Sequence, residues 1–255
     1  MSFLGAEMLS GFKNKTKRKL SDLIVDEVKR LIMSEELKPG DRLPSEKDLI
    51  EQYEVSKGTV REALKALEVE GLIKTRPGPG GGAWLTEVGT EPASKALRNY
   101  LYFRHISAEQ LYQTRKLIEV ELAVSVVGHL TEEELLLLRK YTDQCSEKPT
   151  TEEEQRLQKI AELEFHNVLA DASPNPILSF FGRFLNESLR DLVVLKKAYL
   201  IDYYAFTKSN VDYHYALINA YEKQDKKQVR TLMAEHMCEA EVHFVALEGE
   251  ISKKM

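Results

Sequence analysis

Three of the chain's six histidines sit where apolar side chains would be expected. His214 shares a helical stripe with Leu217, Ile218 and Tyr221, and His236 shares one with Val229, Leu232, Met233 and Ala240. His166 follows Glu162 by four residues, so both project from one helix face. Imidazole nitrogens and carboxylate oxygens are the usual ligands of zinc and similar divalent ions. One such histidine is ordinarily a core residue satisfied by a hydrogen bond, whereas three together with a carboxylate point to a metal site. Arg115 poses a related problem, because it interrupts the stripe Leu111, Ile118, Leu122 and Val126. A guanidinium in a core needs an anion: either Glu119, one turn on, or the carboxylate of a bound molecule. His105, His129 and His243 show no such pattern and read as surface or structural residues.

The elements that would position these groups follow from periodicity. From Arg18 to Ser34 the apolar residues Leu20, Leu23, Ile24, Val28, Leu31 and Ile32 recur at helical spacing. Ser45, with Asp48 in capping-box position, opens a second helix to about Tyr53. Ser56 caps a third, striped by Val60, Ala63, Leu64 and Leu67 and closed by Gly71. Two short strands, residues 72–75 and 83–86, then flank the turn Pro77-Gly78-Pro79-Gly80-Gly81-Gly82. Three helices and a hairpin form the plan of a winged helix-turn-helix over residues 1–88. Residues 89–105 read as a linker carrying one short helix. Residues 106–250 read as an all-helical bundle of six helices, broken at Lys148-Pro149-Thr150, at Ser173-Pro174-Asn175-Pro176 and near Asp225. The fold class is therefore mainly α, a winged helix-turn-helix domain followed by a helical-bundle domain.

At 255 residues the chain exceeds one ordinary domain, and 43% hydrophobic residues suffice for real cores. No apolar run is long enough to cross a bilayer, and no secretory signal is apparent, so a cytoplasmic protein without a membrane partner is expected. Two cysteines, Cys145 and Cys238, exclude a disulfide scaffold and a cysteine-built zinc finger. The net charge of −5 falls wholly after residue 88, since Lys/Arg and Asp/Glu balance before it. The basic residues of the first part also cluster, at Lys13, Lys15, Lys17, Arg18 and Lys19 and again at Lys57, Arg61 and Lys65. Such a distribution suits a nucleic-acid partner better than the overall sign suggests.

Over residues 39–86 the chain resembles the GntR family of bacterial regulators. The resemblance is carried by Pro39-Gly40-Asp41-Arg42-Leu43-Pro44-Ser45-Glu46-Lys47, by residues 55–64 (Val-Ser-Lys-Gly-Thr-Val-Arg-Glu-Ala-Leu), by residues 67–73, and by the glycine-rich turn. It implies that Lys47, Lys57 and Arg61 contact DNA and that the wing tip, at Gly80, enters the minor groove. On physical grounds Lys57, Thr59 and Arg61 lie in the first two turns of a helix that can enter a major groove, and Arg61 can grip guanine with both arms. The family more often has Arg where this chain has Lys47 and Lys57; lysine keeps the charge but loses the planar fork. The competing explanations are a solvated helix face for the two lysines and an ion pair of Arg61 with Glu62 or Glu54. One reading helix per chain needs two half-sites, hence a homodimer on a pseudo-palindromic, double-stranded operator.

The helical part resembles the FCD ligand-binding domain of the FadR subfamily. Glu162-Leu163-Glu164-Phe165-His166 is similar to that family's Asp-x-x-Phe-His segment, and His214 and His236 to its two later histidines, 22 residues apart. Asn175 resembles the Asn-Pro after the first histidine. The resemblance implies a divalent ion, zinc or nickel or a similar metal, held by Glu162, His166, His214 and His236. It also implies a small organic-acid effector meeting the metal and Arg115, with Asn175 nearby. Glu162 departs from the family's Asp, so it could bind directly, bind through water, or yield to Glu164. The expected function is a transcription regulator whose operator affinity answers to that effector. A purely structural metal is the alternative; a metalloenzyme is disfavoured, because no separate general base, serine triad or phosphate loop stands out.

Overall fold

The computed structural model describes residues 19–78, 80–104, 106–195 and 204–254. Lys13, Lys15, Lys17 and Arg18 of the basic cluster, Pro79 of the glycine-rich turn and His105 lie outside the described residues. The chain divides into two compact units, residues 1–93 and 94–255.

In the first unit, α1 (Leu20–Met33), α2 (Glu46–Tyr53) and α3 (Lys57–Val69) precede a two-stranded antiparallel hairpin, β1 (Ile73–Arg76) and β2 (Gly82–Leu85). Each boundary has a local cause. The Ser45 hydroxyl accepts the Asp48 backbone N–H while the Asp48 carboxylate accepts that of Ser45, a complete capping box. Glu54 ends α2 in the left-handed region (φ 52°), and the Ser56 hydroxyl accepts the Thr59 N–H to start α3. Gly71 (φ 77°) takes the left-handed step that turns the chain from α3 into β1. The register pairs Ile73 with Leu85 and Arg76 with Gly82. Residues 40–43 run along the other side of β2, where the Leu43 N–H donates to the Ala83 carbonyl and the Leu85 N–H to that of Asp41. Ile24, Val28, Leu49, Val60, Ala63, Leu67, Ile73 and Leu85 close into one apolar core beneath these elements. The hairpin turn is tight: a Cβ on Gly81 would stand 2.3 Å from the Arg76 carbonyl oxygen.

Among its described residues, every element of the second unit is a helix. α4 (Glu91–Tyr102) lies mostly in it and is followed by α5 (Ala108–Ser125), α6 (Glu132–Gln144), α7 (Glu152–Ala172), α8 (Pro176–Leu195), α9 (Tyr204–Glu222) and α10 (Lys226–Lys254). Ser107, Thr131 and Thr151 each complete a capping box, which explains why α5, α6 and α7 begin where they do. α4 falls inside the stretch expected to be a linker. It is no free tether, because Leu97 and Leu101 pack on the cluster of Tyr112, Leu189 and Phe244, and Arg98 pairs with Glu187.

α5 and α10 run antiparallel: Lys116 pairs with Glu241, Glu121 with Arg230, and the Tyr112 and Phe244 rings lie 5.0 Å apart. The main core gathers Leu122, Val126, Leu138, Phe165, Leu169, Leu217, Met233 and Met237 from α5, α6, α7, α9 and α10. Cys145 and Cys238 are both free thiols. Gly182 of α8 marks a close helix approach, since a Cβ there would stand 3.2 Å from Leu122 Cδ2 and 3.3 Å from the Ala170 methyl. A Gly182→Val variant is therefore expected to lose about 1–3 kcal/mol by overpacking, read from the urea unfolding midpoint.

Candidate metal centre and nucleic-acid interface

His166 on α7, His214 on α9 and His236 on α10 converge inside the second unit, each about 1% exposed. Their ligand nitrogens all lie within 4.8 Å of one another. The Nε2 atom of His236 is 3.3 Å from that of His214 and 3.3 Å from that of His166. A tetrahedral ion bound at about 2.0–2.1 Å by each nitrogen would set its ligands about 3.3 Å apart, so the spacing fits a zinc-like ion. The rings are held from outside as well. Phe165 stacks on His214 with centroids 3.7 Å apart, and Tyr213 lies against His236.

The protonation states suit ligation. Burial first, then the neighbouring His166 and the Arg115 charge, push His236 well below the ordinary histidine value. His214 is lowered in the same way, by burial and then by His236, His166 and Arg115. Neutral imidazoles keep the lone pair that a metal requires. The three histidines thus form a cluster that could hold a metal ion.

Glu162 is not among them. Its carboxylate accepts from Asn210 Nδ2 at 2.6 Å and pairs with Lys159 at 3.0 Å. Glu164 turns away too, pairing with Arg190 and accepting from Asn167. The carboxylate that does meet the cluster is Glu119, whose Oε2 lies 3.0 Å from His166 Nδ1.

Arg115 and Glu119 are both buried, at 2% and 0% exposure. Arg115 Nε donates to Glu119 Oε1 and to Asn186 Oδ1, and Nη1 donates to the Tyr112 hydroxyl. Nη2 is buried with no hydrogen-bond partner, as are His236 Nδ1 and Asn210 Oδ1. Burial would push the Glu119 carboxyl up, but His166 and Arg115 outweigh it and hold the group below its ordinary value. Burial likewise opposes the Arg115 charge, and Glu119, Tyr112 and Glu162 more than restore it. Asn175 stands elsewhere: it is exposed, and its side-chain oxygen caps α8 by accepting the Ile177 and Leu178 N–H groups.

In the first unit, the residues expected to face nucleic acid are at the surface. Lys47 and Lys57 are exposed, and Lys47 lies 3.8 Å from Glu51. Thr59 is half-buried, its hydroxyl 2.9 Å from that of Ser56 at the start of α3. Arg61 pairs with Glu46 of α2 at 3.2 Å, whereas Glu62 is taken by Lys19, so neither Glu62 nor Glu54 is the partner. Gly80 is exposed in the wing turn with φ 80°. Behind it the Arg76 and Arg42 guanidiniums lie 5.0 and 5.9 Å from the Trp84 ring centre, and Arg42 also donates to the Gly81 carbonyl. Sequence spacing had offered Glu119 only as a partner for Arg115, because its contact with His166 spans 47 residues. No local signal marked Asn186, Asn210 or Glu46.

The chain matches the family description "Bacterial regulatory proteins, gntR family" over residues 20–81 and the FCD domain over residues 110–238. The HTH-type transcriptional regulator LutR of Bacillus subtilis is 30% identical over 83% of this chain and 94% of its own length. The HTH-type transcriptional repressor NanR of Salmonella typhimurium is 26% identical over 94% of this chain and 89% of its own length. Among solved structures, a Streptococcus agalactiae GntR protein superposes with a TM-score of 0.58 at 22% identity, covering 88% of this chain and 99% of that one, a likeness of fold.

The capping role of Asn175 can be checked separately from any role toward a ligand. Asn175→Ala should cost about 1 kcal/mol of stability in thermal unfolding, the ordinary loss of an N-cap.

Proposed function

Because the chain belongs to the GntR family of bacterial regulatory proteins and carries an FCD domain, we propose that it is a homodimeric reader of a pseudo-palindromic operator, tuned by a small organic acid bound beside a divalent metal. Its relatives are named transcriptional regulators and repressors, so the chain is a DNA-binding transcription regulator rather than an enzyme. Within the family, the helical domain suits the FadR subfamily. A cytoplasmic setting agrees with this reading; among the described residues no helix is long and apolar enough to cross a membrane.

The observation that carries the proposal is the convergence of three buried imidazoles in a domain that also buries an arginine with one unused donor. His166, His214 and His236 would hold the ion, zinc or a neighbouring metal such as nickel. Glu162 reaches it only by leaving Lys159 and Asn210. Three protein ligands would leave a coordination position for water or a ligand, as catalytic and ligand-binding sites do and closed structural ones do not. When bound, the metal would supply Lewis acidity toward an anionic oxygen. Arg115 Nη2, buried without a partner, is the donor an effector's carboxylate would satisfy. Asn175 would act on this pocket only at second hand, through the start of α8.

In the reader, Ser56 leaves the first turn of α3 open, and Lys57, Thr59 and Arg61 present their side chains from it. Lys47 and Lys57 position the protein on phosphates, Arg61 specifies a base, and the wing tip at Gly80 approaches the minor groove. Glu46 occupies Arg61 in the free protein and would release it to guanine. An effector that binds one arrangement of the dimer better shifts operator affinity, and about 1–3 kcal/mol of coupling suffices.

Two measurements test this. Arg61→Ala should lose about 1–3 kcal/mol of discrimination between operator and unrelated DNA in a gel-shift titration, and unchanged affinity removes Arg61 from the interface. In a thermal-shift screen, one of a panel of small carboxylates should raise the melting temperature of zinc-loaded protein but not of chelator-stripped protein; at a hundred times its Kd the gain is about 2.7 kcal/mol. Stabilisation by zinc with no added effect of any carboxylate would leave the metal a structural role only.

A further inference from the structure

Glu119 is the only carboxylate among the described residues that touches a clustered histidine, and it divides its two oxygens. Oε1 holds Arg115 Nε at 3.2 Å and Oε2 faces His166 Nδ1 at 3.0 Å. Both contacts are fully buried, and the Arg115 guanidinium supplies the counter-charge that a carboxylate placed there requires. An ionised carboxylate can only accept, so Nδ1 of His166 must carry the proton and donate it. The ring's other nitrogen, Nε2, then carries a lone pair, and it is the atom 3.3 Å from His236 Nε2.

We propose that Glu119 is a positioning residue for the metal: it fixes His166 in the Nδ1-protonated tautomer, aims Nε2 into the cluster, and links that histidine to Arg115. The inference rests on the reading that the three histidines bind a divalent ion. His236 shows the contrast, because its Nδ1 is buried without a partner and nothing comparable orients it. Among the described residues His166 is the clustered ring with a carboxylate behind it, and a carboxylate behind a metal-bound imidazole is known to strengthen the ligand. Through its other oxygen Glu119 also leaves Arg115 with a single unused edge. Nε is shared by Glu119 and Asn186, Nη1 is held by Tyr112, and Nη2 remains.

The test is a zinc titration of the full-length protein against a chromophoric chelator, on wild type and Glu119→Gln. Glu119→Gln is expected to bind zinc about 10–100-fold more weakly, the usual loss when a carboxylate behind a ligand histidine is removed. Should Glu119→Gln fail to fold because Arg115 loses its counter-charge, the double variant Arg115→Met/Glu119→Gln removes both charges and should show the same weakening. Nitrogen-15 NMR of the histidine rings gives a signature that a merely structural role would not move. In wild type, before and after zinc, His166 should carry its proton on Nδ1.

Equal zinc affinity in wild type and folded Glu119→Gln, or a His166 proton found on Nε2 in the zinc-free protein, would overturn the inference while leaving the metal site standing. Failure of wild type itself to bind zinc would overturn the metal reading and this inference with it.

Discussion

An arginine and a glutamate, both without appreciable exposure, sit one turn apart on α5, and the surroundings are built to keep each of them charged. Isolated, either ion would cost several kcal/mol to bury. Together they still need donors and acceptors for their remaining positions, and these come from other elements: Asn186 of α8, His166 of α7 and Tyr112 of α5 itself. Asn186 in turn donates to Asn167, which donates to Glu164, so the polar chain runs on toward the surface pair of Glu164 with Arg190. This network dictates where α7 and α8 may lie against α5, because a shift of either would strand a charge. The apolar clusters around it supply cohesion without comparable direction.

The reader unit follows the opposite logic. Arg61 and Lys47, proposed to meet DNA, are exposed and held lightly by surface pairs with Glu46 and Glu51, contacts that are worth little in water. Such pairs keep long side chains near their working positions and cost little to exchange for a phosphate or a base. What is rigid there is the scaffold: the caps at Ser45 and Ser56, the core under α3, and a hairpin turn whose Gly81 admits no side chain.

Much of this was written in local sequence. Ser45, Ser56, Ser107, Thr131 and Thr151 announce helix starts because a cap involves residues three positions apart. The clustering of His166, His214 and His236 was legible because each polar residue stood out against an apolar stripe, and Arg115 for the same reason. Contacts across elements were less so. Glu162 matched a ligand position by spacing, yet Asn210 and Lys159 claim its carboxylate, and Asn210 lies 48 residues away. Asn175 sat beside the right motif, but the structure uses it to cap α8. The linker reads as carrying one short helix, and two leucines a turn apart, Leu97 and Leu101, dock that helix on the bundle.

The three histidines come from α7, α9 and α10, with His236 lying 22 residues from His214 and 70 from His166. An ion joining them would close two consecutive loops in the chain, much as a pair of cross-links would. On the chain-entropy account of cross-linking, each closure removes freedom from the unfolded state worth about 3–4 kcal/mol at these loop lengths. The same ion would then serve as a fastener for the C-terminal third of the protein, making the bundle's resistance to unfolding depend on how much free metal surrounds it. A regulator constructed this way would carry a record of metal supply in its own folding equilibrium, whatever else binds beside the ion.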